Sequence, residues 1–373
     1  MKIALLGGRG IPAKYGGFET AIEEIGARLA ERGHEVSVYC RRGYGDDPGS
    51  EYRGMRPVFM PSLKHLPLET LSHSLLALIH CFFHAPDVLI VVNPANGPLC
   101  ILPRLRGTPF AIHVDGMDWK RGKWPAIGRF YIRSAAWFCT KIAPEIIADS
   151  HAIADFYRQE WRRETYYASY GAFMGESTRP EVLEEYGVSA RDYNLIIARL
   201  EPENHTDLLI DAFLRVKTDK KLVIVGDASA KDGAFMQGLR ERAGGERVTL
   251  LGAVYDRGRL HELLCNCFAY LHGHSVGGTN PVLLEAMGCN ACVVYLDVPF
   301  NSEVVGDAGL PFALDADVAA TAMQAVEDDP ARAIELREAA RARVESAYSW
   351  EVAADAYEAL CARLAGKRGE NAD

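Results

Sequence analysis

The sequence predicts an α/β protein made of two doubly wound domains, each a parallel sheet with helices on both faces. Three observations carry this. Short runs such as "VLIVV" (88–92) and "KLVIV" (221–225) are apolar throughout, as strands buried on both faces are. They alternate with longer amphipathic stretches, which is the order of βαβ units. The series restarts near residue 190, after the polar stretch "GESTRPEVLEEYGVSARDY", and a chain of 373 residues favours two domains over one. The linker is placed at roughly 170–190, between a first domain over 1–175 and a second over 190–345. Residues 346–373 form a C-terminal helix that either caps the second domain or crosses back to the first. Two such domains are expected to face each other across a cleft, with ligand at the carboxyl ends of the strands.

In chain order, strands are expected at 2–6, 35–40, 56–60, 87–92, 109–114 and 145–149, then at 194–198, 221–225, 247–251, 267–271 and 291–296. After the first strand comes "GGRGIPAKYGGFETAIEEIG". Phe18, Ala21, Ile22, Ile25 and Leu29 share one helical face over 18–32, and Gly33 stops the helix. Gly16 and Gly17 stand at its N-terminus, where backbone N–H groups and the helix dipole favour an anion. A dinucleotide fingerprint needs G-x-G-x-x-G turning straight from strand to helix and an acidic residue ending the next strand. Here Pro12 interrupts the turn, and the next strand ends "VSVYCRR" without a carboxylate, so a dehydrogenase is disfavoured. The alternative is that these glycines only make a long turn.

The most apolar segment, "LSHSLLALIHCFFHAPDVLIVV", is broken by His73, His80, His84, Pro86 and Asp87, and reads as a helix followed by a strand rather than a membrane span. In "YSWEVAADAYEALCARLAGK", Trp350, Ala353, Ala354, Tyr357, Leu360 and Cys361 mark one helical face. Hydrophobic residues make up 49% of the chain, enough for large cores, and a net charge of −9 argues against general nucleic-acid binding. The nine cysteines have no small-disulfide spacing and are expected reduced and buried. Cys265-x-Cys267 and Cys289-x-x-Cys292 lie in apolar runs and read as core rather than as a zinc site. With no signal-peptide pattern, a cytoplasmic protein is expected. Residues 119–141 hold six basic residues, six aromatics and no acid. Lys120, Arg121, Lys123 and Trp124 then read as facing an anionic inner membrane surface; the alternative is a buried helix with a solvated basic edge.

"NLIIARLEPENHTDLLIDAF" and "YLHGHSVGGTNPVLLEAMGC" resemble the donor-binding half of the retaining glycosyltransferases of family four, which have the GT-B fold. With "GGRGIPAKYGGFET" and "HVDGMDWKRGKW", the resemblance narrows to the rhamnosyltransferase-like branch of bacterial polysaccharide assembly. It implies an acceptor-side first domain and a nucleotide-sugar donor domain second. The implied reaction moves a sugar, L-rhamnose from dTDP-rhamnose, to a glycan or lipid-linked acceptor. It implies retention, no protein nucleophile, no cofactor and no essential metal; no D-x-D metal motif ends a strand.

Arg199 ends the first strand of the second domain, where its guanidinium suits phosphate oxygens; the alternative is an ion pair with Glu201 or Glu203. "SVGGTNPVLLEAMG" is a glycine turn entering a helix, with Pro281 at the first helical position and Thr279 or Asn280 as cap. N–H groups over 277–282, Gly277 and Gly278 among them, are expected to face the leaving diphosphate. By the resemblance, the Glu285 carboxylate accepts from the nucleotide ribose. Gly226, Asp227, Val254 and Tyr255 follow strands and are expected to line the nucleotide pocket. On the acceptor side, His113 and Asp115 share a strand face, and the resemblance aligns Asp115 with the histidine the family carries there; the rival reading of Asp115 is a turn cap.

Two departures stand out. The family's first glutamate falls at Gly277, and its phosphate lysine at Asn204. His205, His272 and His274 are candidates to supply the missing charge. A nucleotide-sugar 2-epimerase and an inactive nucleotide-sugar-binding scaffold are the alternative functions; the carboxylate-free stretch 263–284 counts against the epimerase.

Overall fold

The computed structural model describes residues 1–14, 16–44, 49–64, 68–114, 116–120, 124–227 and 233–370, the side chains of 367–370 excepted. The chain divides into two compact units. One comprises Met1–Gly171 with Trp350–Asp373, the other Ala172–Ser349.

The first unit runs β1 (Lys2–Leu6), α1 (Gly17–Glu31), β2 (Glu35–Arg41), β3 (Arg56–Met60), α2 (Leu68–His84), β4 (Val88–Val92), a 3-10 segment (Pro94–Cys100), α3 (Ile101–Arg106), β5 (Phe110–Val114), α4 (Ala126–Ile142), β6 (Glu145–Ala148), α5 (His151–Trp161) and β7 (Tyr166–Tyr167). Its sheet has the order β3-β2-β1-β4-β5-β6-β7 and is parallel throughout. The second unit runs β8 (Tyr193–Ile197), α6 (Thr206–Phe213), β9 (Lys221–Val225), α7 (Gly233–Arg242), β10 (Val248–Gly252), α8 (Arg257–Asn266), β11 (Ala269–His272), α9 (Pro281–Gly288), β12 (Cys292–Leu296), α10 (Pro299–Val305), β13 (Gly309–Phe312), α11 (Ala316–Asp328) and α12 (Pro330–Ala347). Its parallel sheet has the order β10-β9-β8-β11-β12-β13. Helix α13 (Trp350–Glu370) belongs to the first unit.

The apolar strands β4, β5, β8 and β12 are buried at every position, because helices cover both faces of each sheet. Two strands escape the sequence pattern. β7 has only two residues, and β13 ("GLPF") carries Gly309 and Pro311 at a sheet edge, where a strand tolerates a missing N–H. On α13 the apolar face is buried as its periodicity predicts, with Trp350, Ala353, Ala354, Tyr357, Leu360 and Cys361 all at most 5% exposed. Its acidic edge meets α1: Glu351 pairs with Arg28 at 2.6 Å, and Glu358 with Arg32 and His34, both at 2.8 Å. All nine cysteines are buried and none is in a disulfide. Among the described residues no helix is long and apolar enough to cross a membrane.

Candidate functional site

In both sheets the strand order reverses between two neighbours, β1/β4 in the first and β8/β11 in the second. At such a point the following loops diverge and leave a crevice beyond the carboxyl ends of the strands.

In the second unit the strand ends are laced together. Ala198 N donates to Val225 O (3.1 Å), Leu200 N to Asp227 O (3.0 Å) and Gly226 N to Gly252 O (2.9 Å). A Cβ at Gly226 would run into the Ala198 carbonyl oxygen, so this approach requires glycine. Gly226 and Asp227 line a hollow of about 280 Å³ with Leu200, Met236, Arg240 and Gly252. Val254 and Tyr255 follow β10 in the segment leading to α8, and the Tyr255 side chain is 78% exposed.

Arg199 leaves the tip of β8 with its side chain 43% exposed, 3.8 Å from Glu201 Oε1. Asn204, at the family's lysine position, is buried, and its amide donates to the Arg199 carbonyl at 2.7 Å. It braces the loop that presents Arg199 and adds no charge. His205 bonds Ser275 Oγ at 2.9 Å, and burial lowers its pKa. Ser275 N donates to Glu203 O at 3.0 Å, so the loops after β8 and β11 are tied together. His272 is buried, which pushes its pKa down to about 3, and its ring stacks on His274 at 4.4 Å. It stays neutral and supplies no charge for the missing lysine.

The turn into α9 is built on Gly277, whose φ of +148° L side chains rarely adopt. The backbone itself thus favours glycine where the family has glutamate. Asn280, not Thr279, is the cap: its Oδ1 accepts from Val282 N at 3.0 Å, while Thr279 is buried. Because Pro281 has no N–H, the turn's available donors shift toward Gly277, Gly278 and Asn280. Glu285 lies one turn into α9; burial pushes its carboxyl above the usual range, and Arg257 and His261 pull it back.

Sequence reasoning missed Glu262 on α8. This buried carboxylate accepts from Ser177 Oγ (2.6 Å), Thr178 N (2.8 Å), Arg179 N (2.8 Å) and Asn266 Nδ2 (3.2 Å). No motif signals it, since the donors from Ser177, Thr178 and Arg179 come from a segment more than 80 residues away.

In the first unit α1 begins at Gly17 with Gly16 as cap, so the helix starts at the second glycine of the pair, one residue earlier than the sequence suggests. Its N-terminus already has an anion: the buried Glu19 carboxylate lies against Gly16 and accepts from Arg9 N at 3.1 Å. A diphosphate at Gly16–Gly17 would share the helix end with it. His113 is enclosed by Phe18 (5.2 Å), Tyr170 (5.7 Å) and Tyr357 (6.5 Å), and burial pushes its pKa to about 3. That places it in the wall behind the strand tip as a neutral ring. Asp115 lies outside the described residues, as do Arg121 and Lys123. Lys120 is exposed. Trp124 is half-buried, packed on the small cluster of Trp119, Ile132 and Ala136, whereas Ile127 (79% exposed) and Phe130 (74%) face outward.

Residues 16–165 match the family model described as a glycosyl transferase 4-like domain, and residues 191–329 the one described as glycosyl transferases group 1. The chain belongs to the glycosyltransferases of GT-B fold. It is 30% identical over 139 residues, 37% of either chain, to the N-acetylgalactosamine-N,N'-diacetylbacillosaminyl-diphospho-undecaprenol 4-alpha-N-acetylgalactosaminyltransferase of Campylobacter jejuni. It is 31% identical over 179 residues to the O-antigen chain mannosyltransferase B of Escherichia coli, 46% of this chain and 45% of that one. The matches thus span less than half the length of these relatives. Anabaena HepE, solved in complex with UDP-glucose, superposes with a TM-score of 0.78 at 18% identity, over 97% of this chain and all of the other.

Proposed function

We propose that the chain transfers a sugar from a nucleotide diphosphate to a glycan or lipid-linked acceptor, with retention at the anomeric carbon. The observation that carries this is the carboxyl end of the sheet at β8 and β11 in the second unit. It presents a half-exposed Arg199, a glycine turn capping α9, and the half-buried Glu285 one turn further on. Arg199 and the N–H groups of Gly277, Gly278 and Asn280 take the charge that develops on the leaving diphosphate. Glu285 accepts from the ribose, and Gly226, Asp227, Val254 and Tyr255 border the base. The acceptor hydroxyl attacks the face the diphosphate leaves, and a phosphate oxygen takes its proton. Asp115 orients that hydroxyl. The protein contributes position and charge, with no covalent intermediate. The relatives support sugar transfer in polysaccharide assembly but are named for N-acetylgalactosamine and mannose. The rhamnosyl donor rests on the sequence resemblance alone.

The test is a thermal-shift screen of nucleotide sugars, since a ligand of the folded state raises its stability by about 2.7 kcal/mol at a hundredfold excess over Kd. dTDP-rhamnose is expected to give the largest shift, followed by product formation with an acceptor. A larger shift and turnover with an N-acetylgalactosamine or mannose donor would replace the rhamnosyl reading. No shift with any donor would remove the transferase reading.

Because Arg199 and backbone N–H groups handle the phosphate charge, turnover is expected to persist in EDTA. A complete loss restored by Mg²⁺ would show that a divalent ion belongs to the diphosphate site.

The first unit is proposed to dock on an anionic membrane surface. α2, α3 and α4 all pack on the 3-10 segment Pro94–Cys100. Together they expose Ile79 (39%), Phe83 (74%), Leu105 (74%), Ile127 (79%), Phe130 (74%) and Trp137 (47%). Lys120 and Arg129 add exposed positive charge. Apolar residues at this density beside basic ones suit a headgroup boundary. Charge reversal at Lys120, Arg121 and Lys123 is expected to weaken binding to anionic vesicles by tenfold or more, at up to ~1 kcal/mol for each charge removed. Vesicle sedimentation at low and high salt measures it. Equal binding by wild type and variant would end the proposal.

A further inference from the structure

Three metal-ligating side chains converge in the second unit, one helical turn beyond Glu285: His261 and Cys265 on α8, and Cys289 at the end of α9. His261 and Cys265 are four residues apart, so they stack on one face of the helix. One donor atom from each of the three residues lies within 4.8 Å of the others. Cys265 Sγ is 3.8 Å from His261 Nδ1 and 3.7 Å from Nε2. A tetrahedral zinc with Zn–S of about 2.3 Å and Zn–N of about 2.0–2.1 Å sets its ligands roughly 3.6–3.8 Å apart, so small side-chain movements suffice.

The surroundings keep the site compact. Gly175 backs the cluster, and a Cβ there would strike His261 Nε2 and Cys289 Sγ and come within 3.2 Å of Cys265 Sγ. Gly175 is itself fixed, donating to Gly288 O at 3.0 Å and accepting from Arg341 Nη1 at 2.7 Å. Both cysteines are buried while His261 is half-buried, so one side of the cluster reaches solvent. The other two cysteines of the C-x-C and C-x-x-C pairs are used elsewhere. Cys267 Sγ donates to Leu264 O at 3.2 Å, and Cys292 is part of the core. The cluster therefore takes one cysteine from each pair, which is why neither pair has zinc spacing along the chain.

We propose that His261, Cys265 and Cys289 bind one zinc ion, with water as the fourth ligand. Two thiolates and an imidazole form a donor set for a borderline-soft d¹⁰ cation. Both cysteines bind as thiolates, so affinity falls as pH falls. The ion clamps α8 to α9, the helix that carries the glycine turn and Glu285. It is a structural ion, and metal titration reads its binding whether or not the donor site is drawn correctly.

The test uses the full chain, stripped of metal under reductant and titrated with Zn²⁺ alone, then with Co²⁺ alone as a spectroscopic probe. One Zn²⁺ per chain is expected. Co²⁺ is expected to give thiolate charge-transfer absorption together with the visible bands of a tetrahedral site. His261→Ala, Cys265→Ser and Cys289→Ser should each weaken Zn²⁺ binding on the order of 100-fold, while Cys292→Ser leaves it unchanged. His261→Ala removes a half-buried helical side chain, so retention of the wild-type circular dichroism keeps the test valid if a cysteine variant fails to fold. Absence of stoichiometric Zn²⁺, or equal binding by wild type and His261→Ala, overturns the site.

Discussion

Arg199→Ala is expected to lower turnover by about 100-fold or more while leaving the melting temperature within a degree or two of wild type. The two halves of that result have separate causes. The guanidinium is 43% exposed and 3.8 Å from Glu201, a contact that contributes little to stability in water. Its value lies in the charge it holds at the tip of β8. Asn204 carries no charge, and His272 is held neutral by burial, so on the proposed reading Arg199 is the side chain expected to meet most of the leaving-group charge. Arg199→Lys should recover part of the rate, because an ammonium keeps the charge and loses the two-pronged geometry. Steady-state kinetics on the folded variants decide this. Near-wild-type turnover in Arg199→Ala would remove the residue from the site.

Glu262→Ala should cost about 3 kcal/mol, lowering the melting temperature by roughly 6–12 °C. The carboxylate is buried and collects hydrogen bonds from Ser177, Thr178, Arg179 and Asn266, so alanine leaves several donors without an acceptor. The same bonds set a pH dependence. Burial raises the Glu262 pKa, but the Ser177 hydroxyl and the Thr178 and Arg179 N–H groups outweigh it and hold the carboxyl below the usual range. A depressed carboxyl stabilises the fold fully above its unfolded pKa of about 4.3, and that stabilisation is lost as pH falls through the folded value. Between pH 7 and 3, wild type should therefore lose more stability than Glu262→Ala. Parallel pH profiles for the two would mean that the carboxylate is not charged in the native state.

Much of the fold was legible because buried parallel strands leave continuous apolar runs, and the glycine turn before α9 announces a helix start wherever it occurs. The C-terminal helix was legible as an amphipathic face from Trp350 to Cys361, while its place in the first unit depends on contacts with Arg28, Arg32 and His34 that no local pattern encodes. The site was less legible. Gly277 looked like a lost glutamate, but its positive φ makes glycine the residue the turn favours. His113 looked like an acceptor-side group, yet three aromatic rings enclose it, since alternation along β5 gives a side chain's face and not what packs there. The pairing of Cys265 with Cys289 crosses two helices and cannot be read from spacing within either.

The assignment of Trp350–Asp373 to the first unit has a consequence for synthesis on the ribosome. The apolar face that ends at Tyr357 and Leu364 packs on a unit whose other residues were made before Ala172. While Ala172–Ser349 is being translated, at ~5–20 residues per second, the nascent first unit waits on the order of ten to forty seconds without this helix. The second unit is contiguous in sequence and has no such delay. The half that starts first is therefore the half that finishes last, and chaperone engagement should concentrate on it during that interval.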